Sequence, residues 1–340
     1  MSIQNDYRLS SKKSYPTPSY CLLPTYYFLY LIFRMLKKVL TLALAAGSLV
    51  FAGEYWNVDP GGTTMKFLSM HVSPRSAAMS GAGVADVARA SEVSRNPLAM
   101  STAEIPEFGI NQIIMDGAAL DKFTSAYFAF PVAKSFAAAV TVDFLGYDEI
   151  EGRDEEGMKT ADYGAYAWSV QAGFGSRARV FNWAGSFRFA SQTIDDATAF
   201  AFLGNVGGSF RVNRYFAFAA TLTNAGYVTE YEDEDEYAPM ALQAGVTGVV
   251  PFSEKWALHL SADAYRRADT DPQWLFGGEL SYAEALMFRA GYAVRTQNGT
   301  ENGISCGLGV LIGMIVFDYA YEPRPAFEGG NHYLALGLRF

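Results

Sequence analysis

The sequence predicts an all-β fold, a transmembrane antiparallel β-barrel of about 14 strands, and three observations carry that reading. The chain closes on Tyr333-Leu334-Ala335-Leu336-Gly337-Leu338-Arg339-Phe340, with Leu334, Leu336, Leu338 and Phe340 on one strand face and Ala335, Gly337 and Arg339 on the other. Apolar outside, small or polar inside and ending on an aromatic is the pattern of the last stave of an outer-membrane barrel. The same alternation recurs through residues 106–340, and short turns there alternate with longer, acidic loops.

The strands come in turn. Short turns fall at 131–135, 175–178, 211–214, 251–255 and 282–285, with a tight bend near Gly313. Longer loops fall at 115–120, 148–160, 193–198, 227–237, 268–272, 296–303 and 322–330. Six short turns and seven longer loops separate 14 strands, and the even number and the short–long rhythm are those of a bacterial outer-membrane barrel. Three of the short turns resemble one another, each placing a cation just before an aromatic: Lys134-Ser135-Phe136, Arg214-Tyr215 and Lys255-Trp256. Aromatics gather at the membrane–water boundary because one side of the ring is apolar and the other tolerates water.

Individual strands give the polarity. Along 180–192, Phe181, Trp183, Phe187 and Phe189 oppose Asn182, Ser186, Arg188 and Gln192. Along 256–265, Trp256, Leu258 and Leu260 oppose His259, Ser261, Asp263 and Tyr265. Along 286–295, Leu286, Phe288, Tyr292 and Val294 oppose Arg289 and Arg295. The polar candidates for the lumen are therefore Arg188, His259, Asp263, Arg289 and Arg295. Lipid offers no partner for an open sheet edge, so the last strand must pair with the first, near residues 107–115.

Composition agrees. Half of the residues are hydrophobic and 15 % aromatic, with 32 glycines, yet mean hydropathy is only +0.05. No run of about 20 apolar residues follows residue 52, so helical spans are not expected in the body of the chain. Residues 35–52 read as a signal peptide: Met35-Leu36-Lys37-Lys38, an apolar stretch from Val39 to Val50, then Phe51-Ala52 before Gly53. Residues 1–34 would bury that signal and read as an over-called start; an anchor at 20–33 is the alternative, though short for a bilayer. Removing 1–52 leaves 20 Lys+Arg against 34 Asp+Glu, a net charge of −14. So acidic a chain is a poor nucleic-acid binder. Cys306 is then the one cysteine left, which rules out a disulfide within the mature chain.

Residues 53–105 are a mixed insert ahead of the strands. The pieces Pro74-Arg75-Ser76-Ala77-Ala78-Met79-Ser80-Gly81-Ala82 and Asn96-Pro97-Leu98-Ala99 resemble the PorV/PorQ family of outer-membrane proteins, which is similar in turn to FadL-type transporters of hydrophobic compounds. The resemblance implies a 14-stranded barrel whose segment 53–105 plugs the lumen as a hatch, with Arg75, Met79, Gly81, Asn96 and Pro97 as its motif. It is sharp only over residues 66–100. Ser80 stands where the pattern has Gly, and Leu98-Ala99 where it has Ala-Gly. Asn96-Pro97 survives, and a turn can use it because Pro97 biases Asn96 away from helix.

Chemistry is sparse. His71, His259 and His332 share no motif spacing with Cys306 or a carboxylate pair, and no nucleophile elbow, phosphate loop or zinc pattern occurs. His259 and Asp263, four apart on one face, read as a hydrogen-bonded lumen pair rather than a catalytic or metal site. The acidic runs at 148–156 and 230–236 match no calcium loop and read as solvated outer loops. No enzyme, cofactor or metal is expected. Tyr333, Leu336, Leu338 and Phe340 form a C-terminal signal for the barrel-assembly machinery, and outer-membrane lipid is the surrounding partner.

The resemblance implies a non-enzymatic part in type IX-like protein secretion, binding exported proteins at the outer surface. The alternative is a FadL-like transporter of hydrophobic small molecules. A diffusion porin is a third reading, opposed by a bore smaller than that of the 16–18-stranded water-filled porins.

Overall fold

The computed structural model describes residues 58–87, 89–115, 120–147, 151–153, 157–159, 164–230, 236–295, 302–324 and 329–340. The expected signal peptide and the over-called start lie outside them, as do residues 148–150 and 154–156 of the first acidic run and 231–235 of the second.

Fourteen antiparallel strands form one closed barrel: β1 (Glu107–Met115), β2 (Leu120–Ala133), β3 (Phe136–Tyr147), β4 (Ala165–Ser176), β5 (Phe181–Ile194), β6 (Ala197–Asn213), β7 (Phe216–Val228), β8 (Ala241–Pro251), β9 (Trp256–Arg267), β10 (Gln273–Tyr282), β11 (Leu286–Arg295), β12 (Gly303–Ile312), β13 (Ile315–Arg324) and β14 (Gly329–Arg339). Each strand pairs with its sequence neighbours, and β14 closes on β1 from Glu107 opposite Arg339 to Met115 opposite Asn331. Closure pairs every strand on both sides, which lipid demands of any backbone it surrounds.

The faces follow the alternation. Phe181, Trp183 and Phe187 point out, Phe187 with 57 % exposure, while Arg188, the next residue, is buried. Phe108, Phe144, Phe174, Phe202, Leu308 and Phe317 continue the exposed apolar wall around the barrel. Aromatic rings interlock on it: Phe189 stacks on Phe200 at 5.9 Å and meets Phe202 at 5.1 Å and Trp168 at 5.4 Å. Inward positions carry small or paired polar residues such as Ala139, Ala167, Ala190 and Ala201. Among the described residues no helix is long and apolar enough to cross a membrane.

One expected loop is corrected. Residues 193–198 form no long loop: β5 and β6 run on to Ile194 and Ala197, joined by Asp195-Asp196 with Asp195 in a left-handed conformation at φ 53°. Aspartate tolerates that region, so two acidic residues that read as loop serve as a tight hairpin turn.

At the C-terminus, Leu336, Leu338 and Phe340 face outward, whereas Tyr333 is buried on the inner face, its hydroxyl 2.8 Å from Glu322 Oε2. Tyr333 thus belongs to the lumen side by its odd position in the alternation. The Phe340 N–H donates to the Pro106 carbonyl at 3.0 Å, beside the β1–β14 seam. Replacing Phe340 with Asp puts a charge at the membrane boundary, where lipid-facing charges cost up to about 1 kcal/mol. We expect a reduced level of heat-modifiable, outer-membrane-localised protein, read by semi-native gel of membrane fractions.

Candidate functional site

Residues 58–105 contain short helical pieces rather than strands. A 3₁₀ turn spans Lys66–Ser69, the helix α1 spans Pro74–Ala78, and 3₁₀ turns follow at Ala90–Glu92 and Pro97–Thr102. Pro74 and Pro97 each open their piece, where a missing N–H costs nothing and the fixed φ is already helical. Asn96 caps the last turn: its Oδ1 accepts from the Leu98 N–H at 3.0 Å, and its Nδ2 donates to the Val84 carbonyl at 3.3 Å. These pieces hydrogen-bond inward-facing residues of strands on several sides of the barrel.

Arg75, only 2 % exposed, is the centre of the charged contacts. Its Nη2 lies 2.7 Å from Asp86 Oδ2, its Nη1 3.0 Å from Glu92 Oε1 and its Nε 3.0 Å from Glu279 Oε2 on β10. The chain of charges continues along the wall. Arg289 on β11 bonds Glu279 and Asp318, each at 2.6 Å, and Arg89 reaches Asp318 on β13 at 2.9 Å. His259 on β9 places Nδ1 3.0 Å from Asp86 Oδ2. Burial alone would raise the Asp86 carboxyl, but Arg75 and His259 hold it well below the usual carboxylate range.

A second cluster lies around Arg188. It donates to Asn224 Oδ1, to the Ser94 carbonyl and to Gln171 Oε1, with Asp143 Oδ2 3.8 Å away. Asp143 Oδ2 also accepts from Ser94 Oγ at 2.8 Å, so this cluster too ties residues 58–105 to the wall.

His259 and Asp263 do not form the pair that their spacing suggests. Asp263 Oδ2 accepts from the Gly83 and Val84 N–H groups at 2.8 and 2.9 Å and from Gln243 Nε2 at 2.7 Å. Residues two turns of pleat apart on one face diverge along the strand, and the segment in front of them supplies nearer partners to each. Arg295 lies toward the rim, 3.6 Å from Glu322 and half-buried, away from both clusters.

Close packing fixes the motif residues. Met79 is fully buried, and a Cβ placed on Gly291 would meet the Met79 carbonyl carbon at 2.2 Å and the Ser80 nitrogen at 2.4 Å. Gly81 sits at φ +83°, with the His71 ring where a side chain would go. Burial, with Arg95 and Arg295 nearby, holds the His71 imidazole well below its usual range, so a neutral ring fills that space. On the other side of the segment, Phe67, Leu68 and Val72 bury with Ile113, Phe123, Leu145 and Leu203, the Phe67 and Phe123 rings 6.3 Å apart.

Sequence reasoning singled out Arg75, Arg188 and Arg289 but missed Asp86, Glu92, Glu279 and Asp318. Glu279 and Asp318 carry the one available signal, an acidic residue on the inner face of an otherwise apolar strand. Among the described residues no group of histidine, cysteine and carboxylate side chains is arranged to hold a metal.

These features define a closed 14-stranded β-barrel of the outer-membrane type, with a charged and glycine-contoured interior. No protein-family model and no curated protein matches the sequence. Among solved structures, the chain is similar to the toluene transporter TbuX of Ralstonia pickettii, at 13 % identity and a TM-score of 0.56, covering 79 % of this chain and 98 % of that one. It is also similar to the toluene transporter TodX of P. putida, at 9 % identity and 0.54, with the same coverage. The monoaromatic hydrocarbon channel CymD matches at 12 % identity and 0.54, over 82 % of this chain and 99 % of that one. At such identities the likeness is one of fold.

Proposed function

We propose that this protein is an outer-membrane conduit for hydrophobic small molecules, with the segment expected at 53–105, described from residue 58 to 105, acting as a movable hatch in its lumen. The observation that carries the reading is the fold: the barrel matches nearly the whole length of two toluene transporters and a monoaromatic hydrocarbon channel. The many contacts between the segment and the inner wall support the hatch, since a fixed crossing of this kind must move for cargo to pass. On this reading the long loops face outward and the short turns face the periplasm, after export through a cleaved signal peptide. The protein makes and breaks no bonds and needs no cofactor.

The secretion reading stands second. The motif Arg75, Met79, Gly81, Asn96 and Pro97 favours it through the PorV/PorQ resemblance, with exported proteins as partners at the outer loops. The likeness to two toluene transporters and a monoaromatic hydrocarbon channel gives it no support.

Gentle purification from outer membranes, followed by mass spectrometry of co-purifying proteins and small molecules, separates the two. We expect bound apolar compounds without a stoichiometric protein partner. Recovery of exported proteins that share one C-terminal domain would instead assign the protein to secretion.

A further inference from the structure

The barrel holds a cavity of about 600 Å³ at its short-turn end that the conduit reading does not use. Its rim is built from the β4–β5 connection, the end of β6 and the β6–β7 turn, which contribute Arg179, Arg211 and Arg214 in that order. Asp86 and His259 are at its floor, and Tyr215 and Val249 give it an apolar side.

The β6–β7 turn, which carries Arg214 and follows Arg211, is braced. Asn213 Oδ1 accepts from the N–H groups of Tyr215 and Phe216 at 2.7 and 3.1 Å, and the Arg214 guanidinium lies 4.7 Å above the Tyr215 ring. The Asp86 carboxylate at the floor is already countered by Arg75 and His259, at 2.7 and 3.0 Å. The three arginines therefore leave a net positive lining, in a chain whose overall charge is −9.

We propose that this cavity binds a phosphate group. Guanidinium groups present N–H donors in a planar fork that matches the oxygens of phosphate, and each such bond is charge-assisted. Three of them suit a multiply charged oxyanion better than a single carboxylate, which would leave two cations uncompensated. The volume exceeds that of a phosphate alone, and the Tyr215–Val249 side leaves room for an apolar portion of the same ligand. Two sources share this chemistry: a free phosphate compound in the periplasm, and the headgroup of an anionic phospholipid in the inner leaflet, which the short turns adjoin.

The test uses full-length protein in neutral maltoside detergent, titrated calorimetrically with inorganic phosphate. In parallel, native mass spectrometry measures lipid retained after release from phosphatidylglycerol or phosphatidylcholine nanodiscs. We expect phosphate binding that weakens about tenfold or more in an Arg211→Gln/Arg214→Gln double variant, equivalent to about 1.4 kcal/mol or more. Lys134→Gln, which removes a cation from another short turn outside the cavity, should leave binding unchanged. Selective retention of phosphatidylglycerol, lost in the double variant alone, would support the site and name the headgroup as its source. The proposal fails if neither ligand binds, if the double variant binds as wild type does, or if Lys134→Gln weakens binding equally. None of these outcomes depends on whether the barrel carries hydrophobic cargo.

Discussion

Replacing Arg75 with Ala should free the segment from the wall while leaving the barrel assembled. The substitution strands Asp86, Glu92 and Glu279 in a buried site without their shared cation. Removing one partner of a buried ion pair costs about 3–5 kcal/mol, because the remaining charge stays desolvated and unpaired. Here three carboxylates lose a partner at once, although Arg289 still serves Glu279 and His259 still serves Asp86. Each of the 14 strands keeps both of its neighbours, so heat-modifiability should persist. Limited proteolysis of the purified variant should cut within residues 58–103 at concentrations that spare the wild type. Arg75→Lys keeps the charge but lacks the fork that reaches three carboxylates, and should fall between the two. Equal protease resistance in Arg75→Ala and wild type would show that the charge network does not hold the segment.

The second large effect is steric. Gly291→Ala should displace α1 and the turn that follows it, because the new Cβ would meet backbone atoms of Met79 and Ser80 at 2.2 and 2.4 Å. Backbone cannot rotate out of the way as a side-chain tip can, so the segment or β11 must shift. Overpacking of this kind typically costs about 1–3 kcal/mol. The shift would also lengthen the bonds from Ser305 to the Ser80 N–H and the Ala78 carbonyl, now 3.1 and 3.0 Å. A neighbouring control is Gly278→Ala, whose Cβ would have its nearest contact at 3.7 Å from Leu260. We expect proteolytic sensitivity within 58–103 for Gly291→Ala and wild-type behaviour for Gly278→Ala. Wild-type protease resistance in Gly291→Ala would mean that β11 and not the segment yields.

The barrel was legible because lipid imposes one rule on every strand. Phe187 and Arg188 must point opposite ways, and their neighbours repeat that choice until closure between residues 107–115 and the last strand becomes the only solution. The Asp195-Asp196 hairpin was misread because two aspartates describe a loop and a tight turn equally well. The interior was legible only as half-contacts. Arg75 and Glu279 are 204 residues apart, and nothing local to either names the other. His259 and Asp263 were paired by spacing, a rule that holds when one strand is the only source of partners. The crossing segment supplied better ones, Asp86 for the first and the Gly83 and Val84 amides for the second. Asn96-Pro97 was legible because its chemistry is local: a cap and a fixed φ need no distant residue.

The charges of the segment have an electrical consequence. Residues 58–105 carry Lys66, Arg75, Arg89 and Arg95 against Asp59, Asp86, Glu92 and Glu104, and so sum to zero inside a barrel that is strongly acidic. A body with no net charge feels no net pull from a uniform field, since the work of moving it scales with the charge it carries across the potential. A Donnan potential across the outer membrane would therefore neither drive this segment out nor hold it in, and its displacement would be governed by local contacts alone.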